Sequence, residues 1–226
     1  MEFDTDEVPV GKFKVSVIKD DQYIGGCLRR GIEWDGWMRN DLPHLVKPGM
    51  DILDIGGNIG WNALMFSDYG PVHCFEPLYH PVVTKNVEQN GLSKKVAVHP
   101  YGLSCTDATV PIFMPKRTPT GQCNYGGTTL TPPNADDYDF SCEIKLKRLD
   151  DVYTGAPCLI KLDVELHELE VIKGAWETIS KWKPAMYVEI LPGFDDGVTP
   201  LLKTLGYVAF PRPENNYLFI CPNNSS

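Results

Sequence analysis

From residue 50 onward, short apolar runs alternate with amphipathic segments along the chain. "MDILDIGG", "PVHCFEP", "KVAVHPYGLS", "PCLIKLDVE" and "AMYVEIL" have the length and apolar character of strands. The fourth is apolar almost throughout, as expected of a strand covered on both faces. Between them, "NIGWNALMFSDYG", "HPVVTKNVEQNG", "ELEVIKGAWETISKWK" and "VTPLLKTLGY" have helical spacing. Asn90-Gly91 supplies a C-terminal cap for the second helix, and Pro184 stops the third. In the first, Ile59, Leu64 and Phe66 are available to a core face. "YVAFPRP" and "NYLFICP" predict a closing antiparallel hairpin. Strand–helix alternation over this length predicts an α/β sheet with helices on both faces. Two stretches leave the rhythm: residues 1–49, β-like at the start and then mixed aromatic and polar, and residues 115–141, rich in Pro, Gly, Thr and Asn. A loop as long as 115–141 inside a domain is usually functional or disordered.

The 226 residues suit one domain, spanning 1–226 with a 50–226 core, and 42% hydrophobic with 23% charged residues is ordinary for a globular chain. A net charge of -9 argues against a nucleic-acid or anionic-membrane partner. The densest basic run, "KLKR" (Lys145 to Arg148), alternates like a strand. No apolar run reaches the ~18 residues of a membrane span, and the acidic start "MEFDTDEVPV", without an apolar core, gives no expectation of a signal peptide. Seven scattered cysteines without a C-x-x-C pair point to free thiols in a reducing, cytoplasmic compartment.

"DILDIGGNIGW" runs from strand through glycines into a helix, the place where an open α/β sheet binds a nucleotide-like ligand. Gly56, Gly57 and Gly60 let backbone approach the ligand, and Asn58, Trp61 and Asn62 flank them. Asp54 precedes the first glycine. An acid there opposes a pyrophosphate and suits a cationic ligand such as S-adenosylmethionine. G-x-G-x-x-G and G-x-x-x-x-G-K-[ST] are both absent, which counts against NAD and against a P-loop. Glu76, twenty residues beyond Gly56 and followed by Pro77, is placed to accept hydrogen bonds from ribose hydroxyls. Gly102, Leu103 and Ser104 follow the third strand, where an adenine would lie.

"LDIGGNIGWNALMF", "FEP", "IKLDVELHELEVIKGA" and "YVEI" together resemble the FkbM-type methyltransferases over about Gly31 to Ile190. The family pattern is D-V-G-A-N-I-G, then F-E-P, then I-K-x-D-x-E-G, then a strand ending V-E. Gly57 stands where alanine is common, and Leu166 where glycine is usual. The resemblance implies a Rossmann-like seven-stranded sheet, mostly parallel with a C-terminal antiparallel hairpin. It implies methyl transfer from S-adenosylmethionine to a hydroxyl, often of a sugar. The chain is similar, more narrowly, to methyltransferase domains of chlorovirus-like multidomain glycosyltransferases. That would make it part of a longer chain in the host cytoplasm, with a glycan deoxysugar such as rhamnose as acceptor.

Methyl transfer to a hydroxyl needs the oxygen held in line and its proton removed. If the strand persists past Lys161, Asp163 and Glu165 share a face, with His167 joining them. Asp163 is the expected acid/base, with Glu165, His167 and Glu189 on the acceptor side. No metal is assigned, although two carboxylates and a histidine are also a ligand set for a divalent ion. Trp34, Trp37 and Tyr125 are candidates to stack on a sugar ring, Lys161 to contact the acceptor, and Thr118–Thr131 to form a lid. The competing readings are an NAD-linked oxidoreductase and a non-catalytic domain that keeps the fold.

Overall fold

The computed structural model describes residues 3–194 and 197–222. It opens with an antiparallel hairpin, β1 (Thr5–Val10) and β2 (Phe13–Ile18), turned at Gly11, whose φ of 56° suits glycine. The short helices α1 (Ile24–Arg29) and α2 (Leu42–Leu45) lead to β3 (Asp51–Ile55). Then follow α3 (Trp61–Phe66), β4 (Val72–Phe75), α4 (His80–Gln89) and β5 (Val96–His99). Next come β6 (Gly102–Leu103), β7 (Ala108–Pro115), β8 (Tyr138–Lys147) and α5 (Leu149–Val152). The chain closes with β9 (Pro157–Leu162), α6 (Glu168–Gly174), α7 (Trp176–Trp182), β10 (Ala185–Glu189), α8 (Val198–Thr204), β11 (Val208–Pro211) and β12 (Asn216–Ile220).

Seven strands form the main sheet in the order β11-β12-β10-β9-β3-β4-β5. The pairs from β10 through β5 are parallel, and β12 runs antiparallel to both β10 and β11. The chain grows outward from β3 to β5, then returns to lay β9 on the other side of β3. Strand order therefore reverses between β3 and β9, and the crevice beyond their carboxyl ends is the natural ligand site. The apolar strands serve two cores. Ile52, Leu159 and Tyr187 pack with the N-terminal hairpin, α3 and α4. Leu53, Ile55, Ile160, Leu162, Met186 and Val188 pack with α6, α7 and α8. This double coverage is why these strands are apolar nearly throughout.

Three elements differ from the pattern. "KVAVHPYGLS" divides: β5 stops at His99, Pro100 has no N–H for the ladder, and β6 joins a separate sheet ordered β6-β8-β7. The long helix before Pro184 breaks at Ala175, next to a close approach, since a side chain on Gly174 would stand 1.9 Å from Ser104 O. Residues 115–141 connect β7 to β8 and are not free. Cys123 exchanges backbone hydrogen bonds with Asp20 and Gln22, and Phe113 with Thr129. No helix among the described residues is long and apolar enough to cross a membrane.

Candidate active site

A cavity of about 440 Å³ opens beyond the ends of β3 and β9. The turn after β3 forms one wall. Gly56 has φ 88°, and a Cβ there would lie 1.7 Å from Asp163 O, so the two strand ends meet at a point where no side chain fits. Gly56 and Gly57 N–H donate to Phe75 O at 3.0 and 3.3 Å. Gly60, at φ 84°, starts α3. Beneath the turn Asp54 is 0% exposed, beside the Cys74 thiol. Burial pushes its carboxyl up to about 6, against the attraction of Lys161.

Glu76 directly follows β4 and faces the same cavity. Its Oε1 accepts from Leu78 and Tyr79 N–H at 2.8 and 2.9 Å, and its Oε2 from Asn58 N–H at 2.9 Å. These donors fix the carboxylate and leave lone-pair capacity toward the cavity. Burial pushes it up to about 7 despite them. Pro77, Gly102 and Leu103 join Phe75, Ile144 and Leu146 in an apolar wall beside Glu76. Ser104, Trp61 and Asn62 stand behind the main cavity. Ser104 Oγ meets His167 Nε2 at 2.9 Å, the Trp61 indole donates to Trp34 O at 2.7 Å, and Asn62 donates to Asp35 at 3.0 Å.

Opposite Glu76, β9 ends at Leu162, and Asp163 N–H still donates to Ile55 O at 3.0 Å. The chain then turns through Glu165 (φ 52°) and Leu166 (φ 75°). Asp163 and Glu165 are thus brought together by a left-handed turn, not by strand alternation. The glycine usual at position 166 has its reason here, because the left-handed region favours glycine. Oxygens of Asp163, Glu165 and Glu189 lie within 4.8 Å of one another, a spacing a metal ion also accepts. Burial, then Asp163, pushes the Glu189 and Glu165 carboxyls up. Lys161, 3% exposed, holds Asp163 at 2.5 Å and lies 3.9 Å from Asp35. Burial works to lower its pKa, but Asp163, Asp35 and Asp54 outweigh this and hold the ammonium charged. Its head group therefore faces acids at the cavity's edge and not the main space. His167 immediately precedes α6, makes no side-chain capping bond, and lines the cavity.

Among the aromatic candidates, Trp34 lines the cavity. Trp37 does not; its ring meets Tyr187 edge-on at 5.4 Å. Tyr125 lines the wall, with its hydroxyl donating to Asp20 at 3.0 Å and accepting from Arg117 at 3.0 Å. The 115–141 connection covers the cavity with Asn124–Thr128, and Thr129 Oγ1 ties it to Glu165 O at 2.6 Å. Sequence reasoning missed Tyr23, which is 47% exposed and lines the cavity, and also Tyr79, Tyr138 and Leu191. Tyr23 precedes α1, far in sequence from every glycine and acid motif, so no local signal marked it.

Residues 54–209 match the model of the Methyltransferase FkbM domain. The hexuronic acid methyltransferase AglP of Haloferax volcanii is 30% identical over 159 residues, 67% of this chain and 61% of its own length. The chain thus spans about three fifths of that relative. The crystal structure of a methyltransferase FkbM from Methylobacillus flagellatus matches 76% of this chain and 43% of its own with a TM-score of 0.50 at 19% identity, a likeness of fold.

Proposed function

Since the chain belongs to the FkbM methyltransferase family, we propose that it transfers the methyl group of S-adenosylmethionine to a sugar hydroxyl. The observation that carries this reading is one cavity with two facing acidic sides at the strand-order switch. Glu76 is fixed on one side, and Asp163, Glu165 and Glu189 converge on the other. Glu76 suits a ribose diol, the apolar wall of Phe75, Leu103 and Leu146 suits an adenine, and the buried Asp54 under the turn adds negative charge that favours a cationic ligand. A pyrophosphate would find no lysine or arginine among the described lining residues, which disfavours an NAD-linked reaction.

When bound, S-adenosylmethionine supplies an electrophilic methyl carbon on a sulfonium that leaves as a neutral thioether. The acids on the acceptor side would hold the acceptor hydroxyl in line with that methyl group, and its proton would pass to one of their carboxylates. Glu165 suits that role, because burial and Asp163 raise its carboxyl to about 8, close to what a base working near neutrality needs, whereas Glu189, pushed up to about 10, keeps its proton there and positions the acceptor. Asp163, held by Lys161, positions them and orients the acceptor. His167 and Trp34 complete the acceptor side. The likeness to a hexuronic acid methyltransferase supports a sugar acceptor. A deoxysugar such as rhamnose, made beside a glycosyltransferase in the cytoplasm, is the candidate we favour. Mass spectrometry of sugar acceptors incubated with enzyme and S-adenosylmethionine tests the reading. It expects a one-methyl gain on a hydroxyl, lost in Glu165→Gln. Methylation at nitrogen or carbon, or equal activity in that variant, would contradict it.

A further inference from the structure

We infer that the sugar unit entering this cavity carries no anionic group: the acceptor is an uncharged sugar, neither a uronate nor a sugar phosphate. The inference rests on the sugar O-methylation proposed above and narrows its substrate class.

Four carboxylates line the cavity, Glu76, Asp163, Glu165 and Glu189, and no lysine or arginine does among the described residues. A carboxylate or phosphate moved from water into such a space loses its hydration and finds no cationic side chain; a divalent ion on Asp163, Glu165 and Glu189 would supply a counter-charge, so acceptor rates are read with a chelator present. The nearby cations are engaged elsewhere. Lys161 is buried against Asp163 and Asp35. Arg117 stands behind Tyr125, paired with Asp20 and hydrogen-bonded to the Tyr125 hydroxyl. The imidazole of His167 meets Ser104 Oγ through Nε2, and burial disfavours its charged form. The methyl donor adds one net positive charge, too little to offset the acids. This holds whether Glu165 and Glu189 are ionised or protonated: ionised they repel an anion, and protonated they still give it no counter-charge.

The same wall suits hydroxyl groups. Three carboxylates whose oxygens lie within 4.8 Å of one another accept hydrogen bonds from a diol. Trp34 in the wall and the half-exposed Tyr23 at the mouth offer ring faces to the apolar side of a pyranose. The preference is opposite to that suggested by the name of the hexuronic acid methyltransferase matched above, so the two proteins would share chemistry and differ in acceptor charge.

The test pairs each neutral methyl glycoside with its uronate, for glucose, galactose and mannose, and adds rhamnose, at saturating S-adenosylmethionine. Methylation of the neutral member at least about 100-fold faster is expected from the missing counter-charge. A uronate methylated as fast as its neutral partner would overturn the inference. If no sugar is methylated although the donor binds, the sugar reading fails, and a second measurement still judges the charge. Leu191→Cys places a thiol in the wall. With S-adenosylhomocysteine bound, and with each rate divided by that for a free thiol such as 2-mercaptoethanol, its reaction with cationic trimethylammonioethyl methanethiosulfonate should run roughly tenfold faster than with the anionic sulfonatoethyl reagent. Peptide mapping separates it from the native cysteines. Equal rates, or a faster anionic reagent, would overturn it.

Discussion

The ammonium of Lys161 sits 2.5 Å from the Asp163 carboxylate, and the lysine is almost wholly buried. The pair joins the end of β9 to the acids of the cavity, and Asp35 lies 3.9 Å from the same nitrogen. Removing one member of a buried pair leaves the other charged and uncompensated, which costs about 3–5 kcal/mol. Lys161→Met should lower stability by that amount in urea denaturation. A loss under about 1 kcal/mol would mean that water reaches the pair and screens it.

Glu76 is pinned by three backbone N–H groups and keeps acceptor capacity toward the cavity. Glu76→Gln keeps the shape and removes the charge. Binding of S-adenosylhomocysteine should weaken by roughly 1–3 kcal/mol, the range for hydrogen bonds to charged groups. Calorimetry reads this directly, and unchanged affinity would remove Glu76 from the ribose.

Leu166 holds φ 75° where the family usually has glycine. The left-handed conformation costs a side-chain-bearing residue roughly 1–2 kcal/mol, and glycine gives back part of this through the freer unfolded chain. Leu166→Gly should therefore stabilise the fold by about 1 kcal/mol, visible as a raised Tm. A lowered Tm would show that packing by the leucine side chain outweighs the backbone strain.

Acidity separates stability from activity. Burial raises Glu168 from 4.5 to about 7, and it raises Glu165 and Glu189 as well. A folded state that holds protons the unfolded chain gives up loses stability as pH rises. The loss begins near the ordinary value of 4.5 and is complete above the folded value. Activity should instead rise through that interval and on toward the raised value of about 8 for Glu165, because the base must ionise. Denaturation midpoints and initial rates between pH 5 and 8 should thus move in opposite directions, with the stability slope shallower in Glu168→Gln. Stability that rises with pH would contradict the assignment.

Much of this was legible in the chain. β3, β4, β9 and β10 are read from their apolar runs, and Gly56, Gly60 and Glu76 from spacing set by one strand–turn–helix unit. These signals are local. The features the sequence hid depend on distant contacts. α6 ends where Gly174 meets Ser104, about seventy residues earlier in the chain. The left-handed turn at Glu165 and Leu166 runs through residue types that do not advertise it, so Glu165 looked like the next strand position. Trp37 and Trp34 are indistinguishable in composition, yet one packs on Tyr187 and the other lines the cavity. Tyr23 reaches the site only because the bridge between Asp21 and Cys123 ties the N-terminal segment to the 115–141 connection.

The central claim is that the turn after β3 and the carboxylate of Glu76 hold S-adenosylmethionine. Calorimetric titration of the protein with S-adenosylmethionine, S-adenosylhomocysteine and NAD tests it most directly. The account predicts micromolar binding of the first two, unaffected by a chelator, and no heat from NAD. Binding of NAD, or of none of the three, would contradict it and leave the family likeness as one of fold alone.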